Sequence, residues 1–168
     1  MERISNDIQA LMNEAKTEIE NFRLKSGEKI IAYFSELPTI KGFPYKIILV
    51  EQPDGIIYSA FRQWDTAYNL LQWTLGIYNL DRLKIINDEK ILSTTDTALL
   101  REQFSLLEQI QLPESISDEK AIILDGSEWK FGISLADKNV DYTWKASTED
   151  INLLVPVIEL MRKQYFED

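Results

Sequence analysis

The sequence predicts an α+β domain. We expect an antiparallel sheet of about five or six strands built from two hairpins, with N-terminal, middle and C-terminal helices packed mainly on one face. Three observations carry this reading. Residues 45–64 and 121–145 each read as strand, turn, strand. Residues 1–25, 95–110 and 148–166 place apolar side chains at three- and four-residue steps. Strands and helices do not alternate regularly, which disfavours a doubly wound parallel sheet. With 168 residues, 45% of them apolar, the chain is expected to form one domain, 1–168, with a substantial core.

Taken in order, residues 2–25 form an amphipathic helix with Ile4, Ile8, Leu11, Met12, Ala15, Ile19 and Phe22 on one stripe, and Gly27 as its stop. That stripe suits docking on the domain's own sheet. Pairing with a second copy is the alternative, although about three heptads is a marginal length and Glu18 interrupts one seam. Ile30–Phe34 fits either a strand or a helical turn. Pro38, Gly42 and Pro44 mark a loop, and Tyr45–Glu51 follows as a strand buried on both faces. Pro53-Asp54-Gly55 supplies a turn, and Ile56–Trp64 returns as the partner strand.

Residues 65–80 lean towards helix, capped by Asp65 or Thr66, although Trp73, Leu75 and Gly76 blur its apolar face. Leu83–Ile86 is expected as a short strand ending at Asn87-Asp88. The helix over 95–110 turns Leu99, Leu100, Gln103, Phe104, Leu107 and Ile110 inward, and Pro113 prevents its continuation. Ala121–Leu124 reads as a strand and Asp125-Gly126 as a turn. Trp129, Phe131, Ile133 and Leu135 then alternate with Glu128, Lys130, Gly132 and Ser134, and Val140, Tyr142 and Trp144 alternate on the return. The last helix, from about Thr148 to Phe166, has a core stripe of Ile151, Leu154, Val155, Ile158, Met161 and Tyr165. Pro156 forces a kink or a late start within it. Residues 86–90 and 116–120 resemble one another and read as two solvated turns.

Composition removes several chemistries. There is no cysteine, so no disulfide, zinc–thiolate site or thiol nucleophile exists. There is no histidine, so Ser-His and Cys-His pairs and imidazole metal ligands are excluded. Against 18 basic residues stand 28 acidic ones, for a net charge of −10, and most of the excess falls in residues 111–168. No dense Lys/Arg cluster offsets it, so nucleic acid is not expected as a partner. The longest unbroken apolar stretch is Ile30–Phe34, far short of the ~18 residues of a membrane span. The first residues lack the apolar core of a signal peptide, so a cytoplasmic location is expected.

Candidate catalytic motifs fail on context. Ser117-x-x-Lys120 lacks the companion motifs of penicillin-recognising enzymes. Tyr142-x-x-Lys145 lies on a strand, one residue short of the reductase spacing, and no Gly-rich nucleotide loop accompanies it. Carboxylates are the remaining acid–base groups. Asp125, Glu128, Asp137 and Asp141 cluster on the second hairpin, with Glu128 and Asp141 on one wet face if the strands pair in register. Of the four tryptophans, Trp129 and Trp144 fall in the apolar phase, whereas Trp64 and Trp73 are candidates for exposed interface anchors.

The run Asp125-Gly126-Ser127-Glu128-Trp129, its strand, the returning strand ending at Trp144 and the closing helix resemble small acidic bacterial α+β proteins, over residues 121–165. Some of those are immunity proteins of interbacterial toxin systems. The resemblance implies a domain that binds a cognate toxin and blocks it without catalysis.

The expectation is therefore a non-enzymatic, cytosolic protein-binding module that uses no cofactor and no metal. Its acidic surface, Asp125, Glu128, Asp137 and Asp141 with Trp64 as anchor, would meet a basic partner. One alternative is an assembly protein that oligomerises through residues 2–25. Another is a small-ligand carrier or carboxylate-dependent enzyme built around an apolar pocket.

Overall fold

A computed structural model describes residue 10 and residues 13–38, 43–77, 83–115, 127–136, 138–145 and 149–166. A helix, α1, covers residues 13–20. There follow β1 (Lys29–Leu37), β2 (Tyr45–Glu51), β3 (Ile57–Trp64), α2 (Thr66–Thr74), β4 (Ile85–Ile91), α3 (Thr94–Gln109), β5 (Glu128–Ser134) and β6 (Asn139–Trp144). A 3-10 turn over Glu149–Leu153 leads into α4 (Val155–Arg162). The six strands make one sheet in the order β4-β3-β2-β1-β5-β6, antiparallel throughout.

Both expected hairpins are present in their described parts. Tyr45 to Glu51 pairs with Gln63 back to Ile57. The reversal is closed by Gly55 N–H donating to the Gln52 carbonyl at 2.9 Å, with Gly55 at φ +83°, a conformation that needs no Cβ. In the second hairpin Trp129 faces Trp144 and Ser134 faces Asn139. The expected strand at 121–124, the turns at 116–120 and 125–126, and Asp137 lie outside the described residues. The stretch Ile30–Phe34 is a strand. It belongs to β1, which sits in the middle of the sheet and joins the two hairpins.

Successive side chains on a strand point to opposite faces, and this sorts the core into two. On one face Phe34, Tyr45, Ile47, Leu49, Ile57, Phe61, Phe131 and Ile133 pack under Leu100 and Leu107 of α3 and Val157, Ile158 and Met161 of α4. The other face carries Ile48, Val50, Tyr58 and Ala60, with Phe22, Ile30 and Tyr33 against them, and Trp64 buried with Ala15 and Ile19 of α1. The middle and C-terminal helices thus share a face as expected, while α1 covers the opposite one.

Several element boundaries differ from expectation: the first helix, expected over 2–25, ends at residue 20, and its expected residues 2–9, 11 and 12 lie outside the described residues. The strand expected to end at Asn87-Asp88 runs on to Ile91, so residues 86–90 are strand and not turn. Every side chain of β4 beyond Ile85 is exposed, and a strand wet on both faces has no hydrophobic period to read. The last helix starts late: α4 begins at Val155, with Pro156 in its first turn, where a missing N–H costs nothing. The preceding 3-10 turn shifts the helical phase, so Val157 is buried where Val155 was expected. The helix leaning over 65–80 is α2, capped by Asp65, whose carboxylate accepts from the Tyr68 N–H at 3.0 Å.

Candidate functional site

Trp64 is not a surface anchor. It lies on the same side of β3 as Tyr58 and Ala60, is 2% exposed, and is closed over by Ala15, Ile19, Leu83 and Ile85. The reading from its position beside Asp65 missed this because the covering helix lies far away in sequence. Glu128 and Asp141 do share a face, but they do not form a pair. Asp141 stands opposite Gly132, four residues along β5 from Glu128, or ~13 Å at strand rise. Each is also engaged inside the molecule. Glu128 lies 3.7 Å from the Lys130 ammonium and 3.9 Å from that of Lys145. Asp141 accepts the Tyr33 hydroxyl at 2.6 Å. Asp125 and Asp137 lie outside the described residues. Among the described residues of the hairpin, Glu128 and Asp141 are thus met within the molecule by Lys130, Lys145 and Tyr33.

The same face holds a polar cluster beneath the end of α1. Lys46, within the apolar run of β2, is buried and donates to a Glu20 carboxylate oxygen. Its ammonium also sits over the Tyr33 ring, 4.6 Å from the centroid. The second Glu20 oxygen is 4.0 Å from Lys130 and, like the fully buried Ser35 hydroxyl, has no hydrogen-bond partner among the described residues. Arg62 donates to the Glu18 carbonyl at 2.8 Å and to Asn87 at 3.1 Å. Burial, with help from Asp141, pushes the Tyr33 hydroxyl well above the usual tyrosine range. A phenol so held donates a hydrogen bond at neutral pH and does not serve as a base. The cluster ties α1 to the sheet through charge, and the signal that could have found it was one lysine inside a buried strand.

A different feature faces outward. Residues 66–77 carry no charged side chain. Along this stretch Leu70, Leu71 (54%), Leu75 (59%) and Ile77 are exposed. The buried side of α2 is a single residue, Asn69. Its amide donates to the Lys84 carbonyl and accepts the Lys84 N–H, both at 2.9 Å, which fastens α2 to the segment entering β4. Phe43, exposed next to the Pro44 whose carbonyl accepts the Trp64 N–H, stands at the same end of the sheet. Sequence periodicity could not separate this from a core helix, because Leu and Trp surround the axis.

Of the grooves, one of about 510 Å³ lies open between α3 and α4, lined by Leu99, Gln103, Pro156, Leu160, Arg162 and Phe166. Another of about 300 Å³ lies beside Tyr33, Gly132 and Asp141. Among the described residues no group of three carboxylates is placed to hold a metal ion, and no helix is long and apolar enough to cross a membrane. No protein-family model matches the sequence, and no curated protein matches it either.

Proposed function

We propose that this chain is a non-enzymatic protein-binding domain and that α2 is its contact element. The observation that supports the reading is the outward apolar surface of α2 and the turn that follows it, with Leu70, Leu71, Leu75 and Ile77 exposed on a segment without charge. An exposed helix in water ordinarily fills its outer positions with Lys, Glu and Gln. Contiguous apolar exposure marks surfaces that a partner covers. With a net charge of −10, the partner best suited is one whose apolar contact is rimmed by basic residues, since the surrounding field would steer it in. Inhibition of a basic toxin by an immunity-type protein, as the resemblance of residues 121–165 implies, is a particular case of this reading. So is a cytosolic location.

The test is capture by the tagged chain in an extract of its source cells. A stoichiometric partner should be held by the wild type and by Glu128→Gln, and lost by the doubly substituted L71D/L75D, which circular dichroism should show to be folded. Equal capture by all three proteins would remove α2 from the contact and leave this reading without support.

A further inference from the structure

The other surface at this end of the molecule is the edge of the sheet. β4 is the terminal strand; it pairs with β3 from Trp64↔Ile85 to Tyr58↔Ile91 without a register shift, and it contains no proline. At seven residues it offers ~23 Å of straight backbone. Among the described residues, no backbone group of Ile86–Ile91 hydrogen-bonds to anything beyond β3. Its side chains point to solvent, with Ile91 73% exposed. Sheets usually protect such an edge with bulges, proline or a covering element. Among the described residues, the protection here is charge.

That charge is selective. Asp88 and Glu89 occupy the middle of β4. If two copies of β4 are laid antiparallel about their centres, Glu89 falls opposite Glu89, Asp88 opposite Asp88, or Asp88 opposite Glu89. An in-register parallel pairing also stacks like charges. Like charges directly opposite destabilise strand pairs, so self-pairing is opposed in each arrangement. The neighbouring cations do little to cancel this. Lys90 is drawn inward, donating to the Gln164 carbonyl and lying 4.8 Å from the Tyr165 ring centroid, and it stays 4.0 Å from Asp88. Lys25 reaches only 3.9 Å from Glu89, and both are exposed, a kind of pair that contributes little.

We infer that β4 is a strand-addition site for an extended segment of a protein partner, one that carries two adjacent basic residues within an apolar run. Main-chain hydrogen bonds along Ile86–Ile91 supply affinity, and Asp88 and Glu89, on opposite faces of the sheet, select Lys or Arg at adjacent positions. The site is continuous with α2, which Asn69 fastens to Lys84 just before β4 begins. The inference rests on the protein-binding reading and specifies how the partner is held.

The probe is a synthetic acetylated peptide of valines with two adjacent lysines at its centre, seven residues long, with a control N-methylated at alternate backbone nitrogens. Amide shifts and hydrogen exchange report on the complex. The peptide should shift and protect the amides of Ile85–Ile91, bind D88K/E89K at least tenfold more weakly, and lose binding on N-methylation. Equal binding of the N-methylated control, or shifts spread over acidic residues elsewhere with β4 unmoved, would overturn the inference. So would a wild-type dimer in sedimentation that D88N/E89Q tightens, which would assign the edge to a second copy. Partner capture lost in L71D/L75D but retained in D88K/E89K would reject strand addition while leaving the role of α2 intact.

Discussion

The ring of Tyr33 occupies the space that a side chain at Gly132 would need: a Cβ built there falls 2.2 Å from Tyr33 Cε1. The two residues are register partners across β1 and β5. The ring cannot swing away freely, because its hydroxyl is held by Asp141 and its face by Lys46. Gly132→Ala is therefore expected to destabilise the fold by about 1–3 kcal/mol, the usual cost of overpacking. In a Tyr33→Ala background the same change should cost far less. Denaturant unfolding of the four proteins measures the coupling, and additive effects would contradict the close approach.

Lys46 and Glu20 form the main charged tie between α1 and the sheet. Removing one partner leaves the other charge poorly solvated, so Glu20→Ala should cost about 2–4 kcal/mol. The double variant Glu20→Ala/Lys46→Met, which removes both charges, should recover part of that loss. A double variant as unstable as the sum of the singles would show that the pair is not coupled.

Burial of Trp64 under α1 makes it a keystone between helix and sheet. Trp64→Ala should lose roughly 3–5 kcal/mol and leave residues 13–20 undocked, seen as faster amide exchange there. Trp73→Ala, at a half-buried site on α2, should cost much less.

The pH dependence follows from the shifted groups. The Lys163 hydrogen bond, with help from Ser93 and Gln164, holds the Asp96 carboxyl below its usual value, and Lys29 and Arg101 do the same for Glu51. Both groups bind protons more readily in the unfolded chain, so their stabilisation is complete above about pH 5 and fades as pH falls through about 4 and below. Asp96→Asn should flatten that decline. At the alkaline end the sign reverses. Burial raises the hydroxyls of Tyr33, Tyr45 and Tyr58 and pushes Tyr165 up to about 12. Their stabilisation is complete below about pH 10 and is lost as pH climbs beyond it. Tyr165→Phe should make the alkaline limb of a pH–stability curve shallower.

The parts of the fold legible in the sequence were those with a wet face and a dry one. Trp129, Phe131 and Ile133 alternate with Glu128, Lys130 and Gly132 because β5 has the apolar core on one side and, on the other, a polar surface where Glu128 and Lys130 stay partly exposed and Tyr33 covers Gly132. Where that contrast is missing, the pattern is silent. Ile30–Phe34 is packed on both faces and lacks a period, and Ile86–Ile91 is wet on both and also lacks one. The site was less legible than the fold. The exposure of Leu71 and Leu75 and the burial of Trp64 are both set by elements distant in the chain, which no local spacing encodes. The carboxylates of the second hairpin were visible, but not the lysines and the tyrosine that engage two of them.

The central position of β1 has a consequence for biogenesis. One of its flanks is satisfied by β2 as soon as the next strand is made. The other waits for β5, whose residues pair with Ala32–Leu37 from roughly a hundred positions further along the chain. At ribosomal speeds this leaves about 5–20 s in which Phe34 and its neighbours stand at a raw, greasy border of a half-built molecule. A nascent chain stalled in that interval should be the form that chaperones hold and that aggregates when they are depleted.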